Sequence, residues 1–172
     1  FKLLELNKKF KFFKTSSKVL DLGSYPGGWS QVSSKIVDNG KILSLDLKKM
    51  EKIDNVTFYQ CDFLDKKSKT TINNFFQEKI DVIMSDMAAD TTGNKSLDCI
   101  RTNQLCTNVI QFSVEYLKPN GVVISKLFMG EDFIEIKKLA KSTFKEVNFF
   151  KPESSRNESK ETYLHCAVLK TL

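Results

Sequence analysis

The sequence predicts an α/β fold, a Rossmann-like open sheet of seven mostly parallel strands with an antiparallel terminal hairpin. Three observations carry this. β-branched apolar runs alternate with helical patterns along the chain. The stretch Val19-Leu20-Asp21-Leu22-Gly23-Ser24-Tyr25-Pro26-Gly27-Gly28-Trp29-Ser30-Gln31 reads as a buried strand, a glycine-rich turn and the first turn of a helix. The last two strand-like runs are joined by a polar loop, as a hairpin at the end of the sheet requires. With 172 residues, 1–172 are expected to form one domain whose core needs neither disulfide nor metal.

The elements follow in order. Lys2–Phe10 is an amphipathic helix, Lys18–Leu22 a buried strand, and Trp29–Val37 the helix after the glycine turn. Strands are expected at Lys41–Asp46 and Val56–Gln60, a helix near Thr70–Gln77, and a strand at Asp81–Ser85. Ile100–Tyr116 reads as a helix because Leu105, Val109, Phe112 and Tyr116 fall on a 3.6-residue stripe that can cover a sheet face. Lys118-Pro119-Asn120-Gly121 stops that helix and turns the chain into a strand over Gly121–Leu127. A helix at Phe133–Phe144 and strands at Glu146–Phe150 and Tyr163–Leu169 complete the pattern.

The net charge is +6, and only Arg101 and Arg156 among the 27 basic residues are arginine. A basic surface favours a polyanionic partner, although a lysine-rich solvated exterior reads the same way. No apolar run approaches the roughly 20 residues of a membrane span. The chain opens on Phe1 and not on Met, so upstream residues are expected to have been trimmed, and no signal peptide is visible in what remains. Cys61, Cys99, Cys106 and Cys166 contain no C-x-x-C pair, and His165 is the single histidine. A metal site is therefore not expected, and four unpaired thiols fit a reducing, cytoplasmic location.

The glycine spacing, Gly23, Gly27 and Gly28, lacks the G-x-G-x-x-G fingerprint of dinucleotide-binding loops. Asp21 lies two residues ahead of Gly23. A glycine loop preceded by an acid suits a nucleoside with a cationic centre better than a pyrophosphate, and S-adenosylmethionine is the common ligand of that kind. In open α/β sheets ligands gather beyond the carboxyl ends of the strands, where strand order reverses. Asp46, Asp62 and Asp86 end or follow three successive strands, and Lys126 lies near the end of the next. A lysine inside Val122-Val123-Ile124-Ser125-Lys126-Leu127-Phe128 must snorkel or be paired, and Asp86 is its natural counter-ion.

Taken together, these segments resemble the FtsJ (RrmJ) family of ribose 2'-O-methyltransferases. The resemblance runs over nearly the whole chain: the N-terminal Phe-Lys-Leu, Asp-Leu-Gly-x-x-Pro-Gly-Gly-Trp-Ser-Gln, Met-Ser-Asp-Met-Ala, Ser-Lys-Leu-Phe and Lys-Pro-x-Ser-Ser-Arg-x-x-Ser-x-Glu-x-Tyr occur in order. It implies a Rossmann-like S-adenosylmethionine-dependent methyltransferase fold and methyl transfer to a ribose 2'-hydroxyl of RNA. The family's Lys-Asp-Lys-Glu tetrad falls on Lys2, Asp86, Lys126 and Glu161. The cofactor contacts fall on Gly27, Trp29, Asp46 and Asp62, with Asp86 near the methionine end and Gly23 and Gly28 shaping the loop. Two departures bear on loop shape: Ser24-Tyr25 replaces two small residues, and no proline follows Met87-Ala88.

An alcohol is a weak nucleophile at neutral pH and needs a positioned base or a cation that stabilises developing negative charge. Lys126 can serve either way. The expected substrate is a uridine of large-subunit ribosomal RNA within a ribosomal particle, with the enzyme monomeric. Transfer RNA is the alternative substrate, and a non-catalytic ribosome-assembly factor that binds RNA is the alternative class. A pure binder has no need of Lys126 and Glu161 together. An NAD-dependent dehydrogenase is disfavoured by the loop spacing and by the lack of a Tyr-x-x-x-Lys pair.

Overall fold

The computed structural model describes residues 1–171. Seven strands form one sheet: β1 (Lys18–Leu22), β2 (Lys41–Asp46), β3 (Thr57–Gln60), β4 (Ile80–Ser85), β5 (Leu117–Phe128), β6 (Phe144–Phe150) and β7 (Glu161–Leu169). The helices are α1 (Lys2–Phe10), α2 (Gly28–Ile36), α3 (Lys66–Phe76), α4 (Lys95–Tyr116) and α5 (Phe133–Thr143). Strand order is β3-β2-β1-β4-β5-β7-β6. β1 to β5 pair in parallel, and β7 inserts antiparallel between β5 and β6. Order therefore reverses between β1 and β4, and the carboxyl ends of those strands open a crevice.

Side chains alternate across the sheet, and the two faces collect separate cores. Val19, Ile42, Val82, Met84, Ile124 and Tyr163 face Leu3 and Leu6 of α1 and the apolar side of α2. Leu20, Leu43, Ile83, Val123 and Leu164 face Ile72 and Phe76 of α3, Cys106 and Val109 of α4, and Ile136 of α5. Burial on both faces explains why β1 and β2 are mostly apolar, with Asp21 and Ser44 as their buried polar exceptions. α1 presents Leu3, Leu6 and Phe10 to one side, and the Phe10 ring stacks on His165 of β7 with centroids 4.0 Å apart.

Several boundaries differ from the sequence expectation. α3 begins at Lys66 and α4 at Lys95, where Asn94 accepts a hydrogen bond from the Leu97 N–H. Polar first turns carry no apolar stripe, so the pattern found only the inner part of each helix. α4 buries Thr102, Cys106, Val109, Ser113 and Tyr116, a stripe with more small residues than the expected one; Leu105 is only half-buried. The Lys118–Gly121 turn is absorbed into β5 as a bulge, because pairing steps from Ile80 opposite Leu117 to Val82 opposite Val122. β7 begins at Glu161, two residues earlier than expected, since Glu161 already pairs with Phe128.

The seating of α1 is testable. Leu6 is fully buried, so Leu6→Ala is expected to cost about 2–5 kcal/mol in urea unfolding. A loss below about 1 kcal/mol would mean that α1 is not docked on the sheet.

Candidate active site

The four charged residues singled out by the family resemblance come from four separate elements and touch one another. Lys2 Nζ at the start of α1 donates to Glu161 Oε1 at 2.6 Å. Lys126 Nζ, on β5, lies 3.2 Å from Asp86 Oδ1 just past β4 and 3.6 Å from Glu161 Oε2 on β7. Charges thus alternate along Lys2, Glu161, Lys126 and Asp86. The side chains of Lys126 and Glu161 are only 12% and 11% exposed, so solvent screens them far less than a surface pair.

Tyr163 is a further member, quoted in the sequence motif but given no role there. It lies opposite Lys126 in the β5–β7 register. Its hydroxyl is 2.7 Å from Asp86 Oδ1 and 3.1 Å from Glu161 Oε1 and, with one proton, donates to one carboxylate at a time. Burial, reinforced by the two carboxylates, pushes this phenol far above its ordinary pKa and keeps it a neutral donor. Burial also works to raise the Glu161 carboxyl, but Lys2, Lys126 and the Tyr163 hydroxyl outweigh it and hold it below the usual value. Its stabilising contribution is therefore present at neutral pH and lost in acid.

Beside this cluster, beyond the ends of β1, β2 and β4, lies a cleft of ≈ 560 Å³. Gly23, Asp46, Asp62 and Asp86 line it; Gly27, Gly28 and Trp29 do not. Gly23 has φ +69°, and a Cβ there would meet Met87 Cγ at 1.9 Å, so the turn admits no side chain. Gly27, the N-cap of α2, has φ +116° and aims its missing Cβ at Ile53. Above Gly28 the space is open. The Trp29 ring packs 5.6 Å from that of Tyr163, joining α2 to the tetrad's strand. Asp46 accepts from the Tyr25 and Lys48 N–H groups at 2.8 and 2.7 Å, which fixes the glycine loop, and Asp62 accepts from Leu64 N–H. Lone pairs remain on both carboxylates for ligand hydroxyls.

The cleft fits S-adenosylmethionine. Leu45, Phe63 and Met87 supply apolar wall for an adenine ring, and Asp46, Asp62, Asp86 and Asp90 supply negative charge for a cationic ligand. Leu105, expected on the sheet-facing stripe, lines the cleft instead, as does Arg101. Reading the small residues Thr102, Cys106 and Ser113 as the buried stripe would have turned Leu105 outward. Asp21 contributes an orphaned buried oxygen: Oδ2 accepts from Ser30 at 2.7 Å, while Oδ1 has no partner. Among the described residues no group of His, Cys, Asp or Glu converges as a metal site, and no helix is long and apolar enough to cross a membrane.

Burial raises the Asp21 carboxyl to about 7 against the Ser30 hydrogen bond, with Asp86 and Asp46 adding to the rise. The unfolded chain releases this proton near the ordinary aspartate value, so stability falls as pH rises from about 4 to about 7 and stays lowered above. Asp21→Asn is expected to gain on the wild type by on the order of 2–4 kcal/mol between pH 4 and 8 in urea titrations. Parallel pH dependence in the two proteins would contradict the buried, uncompensated carboxylate.

Residues 1–169 match the FtsJ-like methyltransferase family. A protein of Pelagibacter ubique named ribosomal RNA large subunit methyltransferase E is 46% identical over 170 residues, covering 99% of this chain and 84% of its own length. A protein of the same name from Rickettsia akari is 45% identical, covering 95% and 75%. Among solved structures, a Plasmodium falciparum protein assigned as a ribosomal RNA methyltransferase superposes with a TM-score of 0.87 at 32% identity, over 98% of this chain and 94% of its own. Human methyltransferase-like protein 13, solved with S-adenosylhomocysteine, shares the fold at TM-score 0.67 and 14% identity, over 96% and 81%. The chain belongs to the FtsJ-like methyltransferase family, and its methyl donor is S-adenosylmethionine.

Proposed function

We propose that this chain methylates a ribose 2'-hydroxyl of RNA, at a uridine of large-subunit ribosomal RNA, with Lys2, Asp86, Lys126 and Glu161 as its catalytic residues. One observation carries the reading: Asp86 belongs to both halves of the site, lining the cofactor cleft and holding Lys126 at 3.2 Å. A methyl acceptor bound at Lys126 is thereby placed beside the donor. The named activity of the Pelagibacter and Rickettsia relatives supports the ribosomal substrate, and the net charge of +6 suits a polyanion.

S-adenosylmethionine supplies a methyl group activated by its sulfonium. Asp46 and Asp62 would hold its nucleoside hydroxyls and adenine side, and Gly23, Gly27 and Gly28 shape the loop against it, with Trp29 bracing α2. Lys126 orients the ribose hydroxyl and stabilises the negative charge that develops on its oxygen as the carbon–sulfur bond breaks, the carbon–oxygen bond forms and the hydroxyl proton passes to solvent. Asp86 and Glu161 fix the ammonium and Lys2 fixes Glu161, and the burial of Lys126 and Glu161 strengthens the contact between those two. Much of the acceleration comes from alignment of oxygen, methyl and sulfur. The same reading has residues 1–172 act as one domain, as a cytoplasmic monomer on an assembled ribosomal particle.

Lys126→Ala is expected to lower methyl transfer by about 10²–10⁴-fold, with cofactor affinity by calorimetry kept within a few-fold. The assay uses large ribosomal subunits from cells lacking the gene, with 2'-O-methyl mapping of the product. Removing one partner of a buried pair costs about 3–5 kcal/mol, so folding of the variant is verified first. Lys126→Arg keeps a cation that cannot deprotonate; retained turnover assigns Lys126 to electrostatic orientation, and its loss favours proton abstraction. Near-normal turnover in folded Lys126→Ala would overturn the catalytic assignment.

A further inference from the structure

Strand β5 outruns its parallel neighbour. Its pairing with β4 ends at Ser85 opposite Ser125. On the other side its pairing with β7 continues through Lys126 opposite Tyr163, Leu127 opposite Thr162 and Phe128 opposite Glu161. The catalytic end of β5 is thus held by a strand on one side only.

Asn103 of α4 takes the place of the missing strand. The residue is fully buried. Its Oδ1 accepts from the Phe128 N–H at 2.7 Å, and its Nδ2 donates to the Phe128 carbonyl at 2.9 Å. One carboxamide therefore makes the donor and acceptor pair that a strand residue would make. Nδ2 also donates to Asp132 Oδ1 at 2.7 Å, so both of its hydrogens are used. The adjacent Thr102 Oγ1 accepts from the Ala89 N–H at 3.0 Å and fixes the loop that leaves Asp86. Two consecutive residues of one helix turn thus hold the end of the strand that carries Lys126 and the loop that follows Asp86.

We propose that Asn103 is a positioning residue for methyl transfer: by pinning Phe128 in the absence of a β4 partner, it holds Lys126 and Glu161 in catalytic register. The proposal rests on the tetrad reading above. Phe128 pairs with Glu161 and lies two residues from Lys126, so slack at Phe128 moves both. Lys126 Nζ already lies at 3.6 Å from Glu161 Oε2; displacement of about 1 Å at such a site can cost roughly 10²-fold in rate. A carboxamide that merely satisfied the backbone would alter stability and leave turnover per folded molecule unchanged.

Asn103→Ala and Asn103→Asp test this. The aspartate keeps an acceptor for the Phe128 N–H, loses both donated bonds and sets a carboxylate against Asp132. Each folded variant is expected to bind S-adenosylmethionine within about 2-fold of the wild type, to keep its KM for ribosomal subunits, and to lose about 10-fold or more in kcat. The acid limb of the kcat profile should move to higher pH, since Glu161 loses part of the Lys126 charge that holds its carboxyl down. Asn103→Asp combined with Asp132→Asn re-forms the bond between positions 103 and 132 and should recover part of kcat. Wild-type kcat and pH profile in either folded variant would overturn the proposal, and if Asn103→Ala does not fold, Asn103→Asp decides. Lys126→Ala in the same assay separates the two levels: its inactivity beside an unaffected Asn103→Asp defeats the positioning role alone, whereas an active Lys126→Ala defeats the tetrad reading and this proposal with it.

Discussion

A carboxylate taken out of water persists as an anion only where cations and hydrogen-bond donors replace its hydration. Glu161 meets that condition with groups from separated parts of the chain: Lys2 from α1, Lys126 from β5, the Tyr163 hydroxyl from its own strand, and Ser155 from the preceding loop. The N-terminal helix, the centre of the sheet and the β6–β7 connection must therefore be in place together before the carboxylate is satisfied. Glu5, one helical turn past Lys2, extends the tie by accepting from the Glu153 and Ser154 N–H groups. The interactions that assemble the tetrad thus also tie down α1, which Leu3 and Leu6 seat on the sheet, and the terminal loop.

Sheet parity explains why these side chains meet at all. Ile124 and Tyr163 face the α1 and α2 core, and the period of two carries Lys126 and Glu161 to the same side. Met84 faces that core too, and Asp86 follows it two residues on, past the strand end. α1 covers that face with Leu3 and Leu6, which brings Lys2 over the cluster. A one-residue slip in the β5–β7 register would send Lys126 and Tyr163 to opposite faces. The opposite face contributes through α4, whose first turns bind the Phe128 backbone and the loop after Asp86.

The fold was legible because its periodicities are strong and local. β1 and β2 each have a strand on either side and are largely buried on both faces, and their expected bounds agree with the structure. The differences arise where local pattern gives no signal. The polar first turn of α4 is set by the Asn94 cap, and the bulge in β5 by pairing with β4. Of the candidate site, the acids at strand ends and the out-of-place Lys126 stood out as chemistry that a strand should not contain. Lys2 and Glu161 were visible only through the family resemblance, since each taken alone reads as a surface charge. The roles of Tyr163 and Asn103 were not visible, because an aromatic in a strand and an amide in a helix gain them from partners 77 and 25 residues away.

Glu161 and Lys2 form one energetic unit joining α1 to the sheet. A double-mutant cycle of Lys2→Met and Glu161→Gln, read as unfolding free energy at neutral pH, measures that coupling directly. An interaction energy of about 1–3 kcal/mol is expected. Additivity within about 0.5 kcal/mol would contradict it.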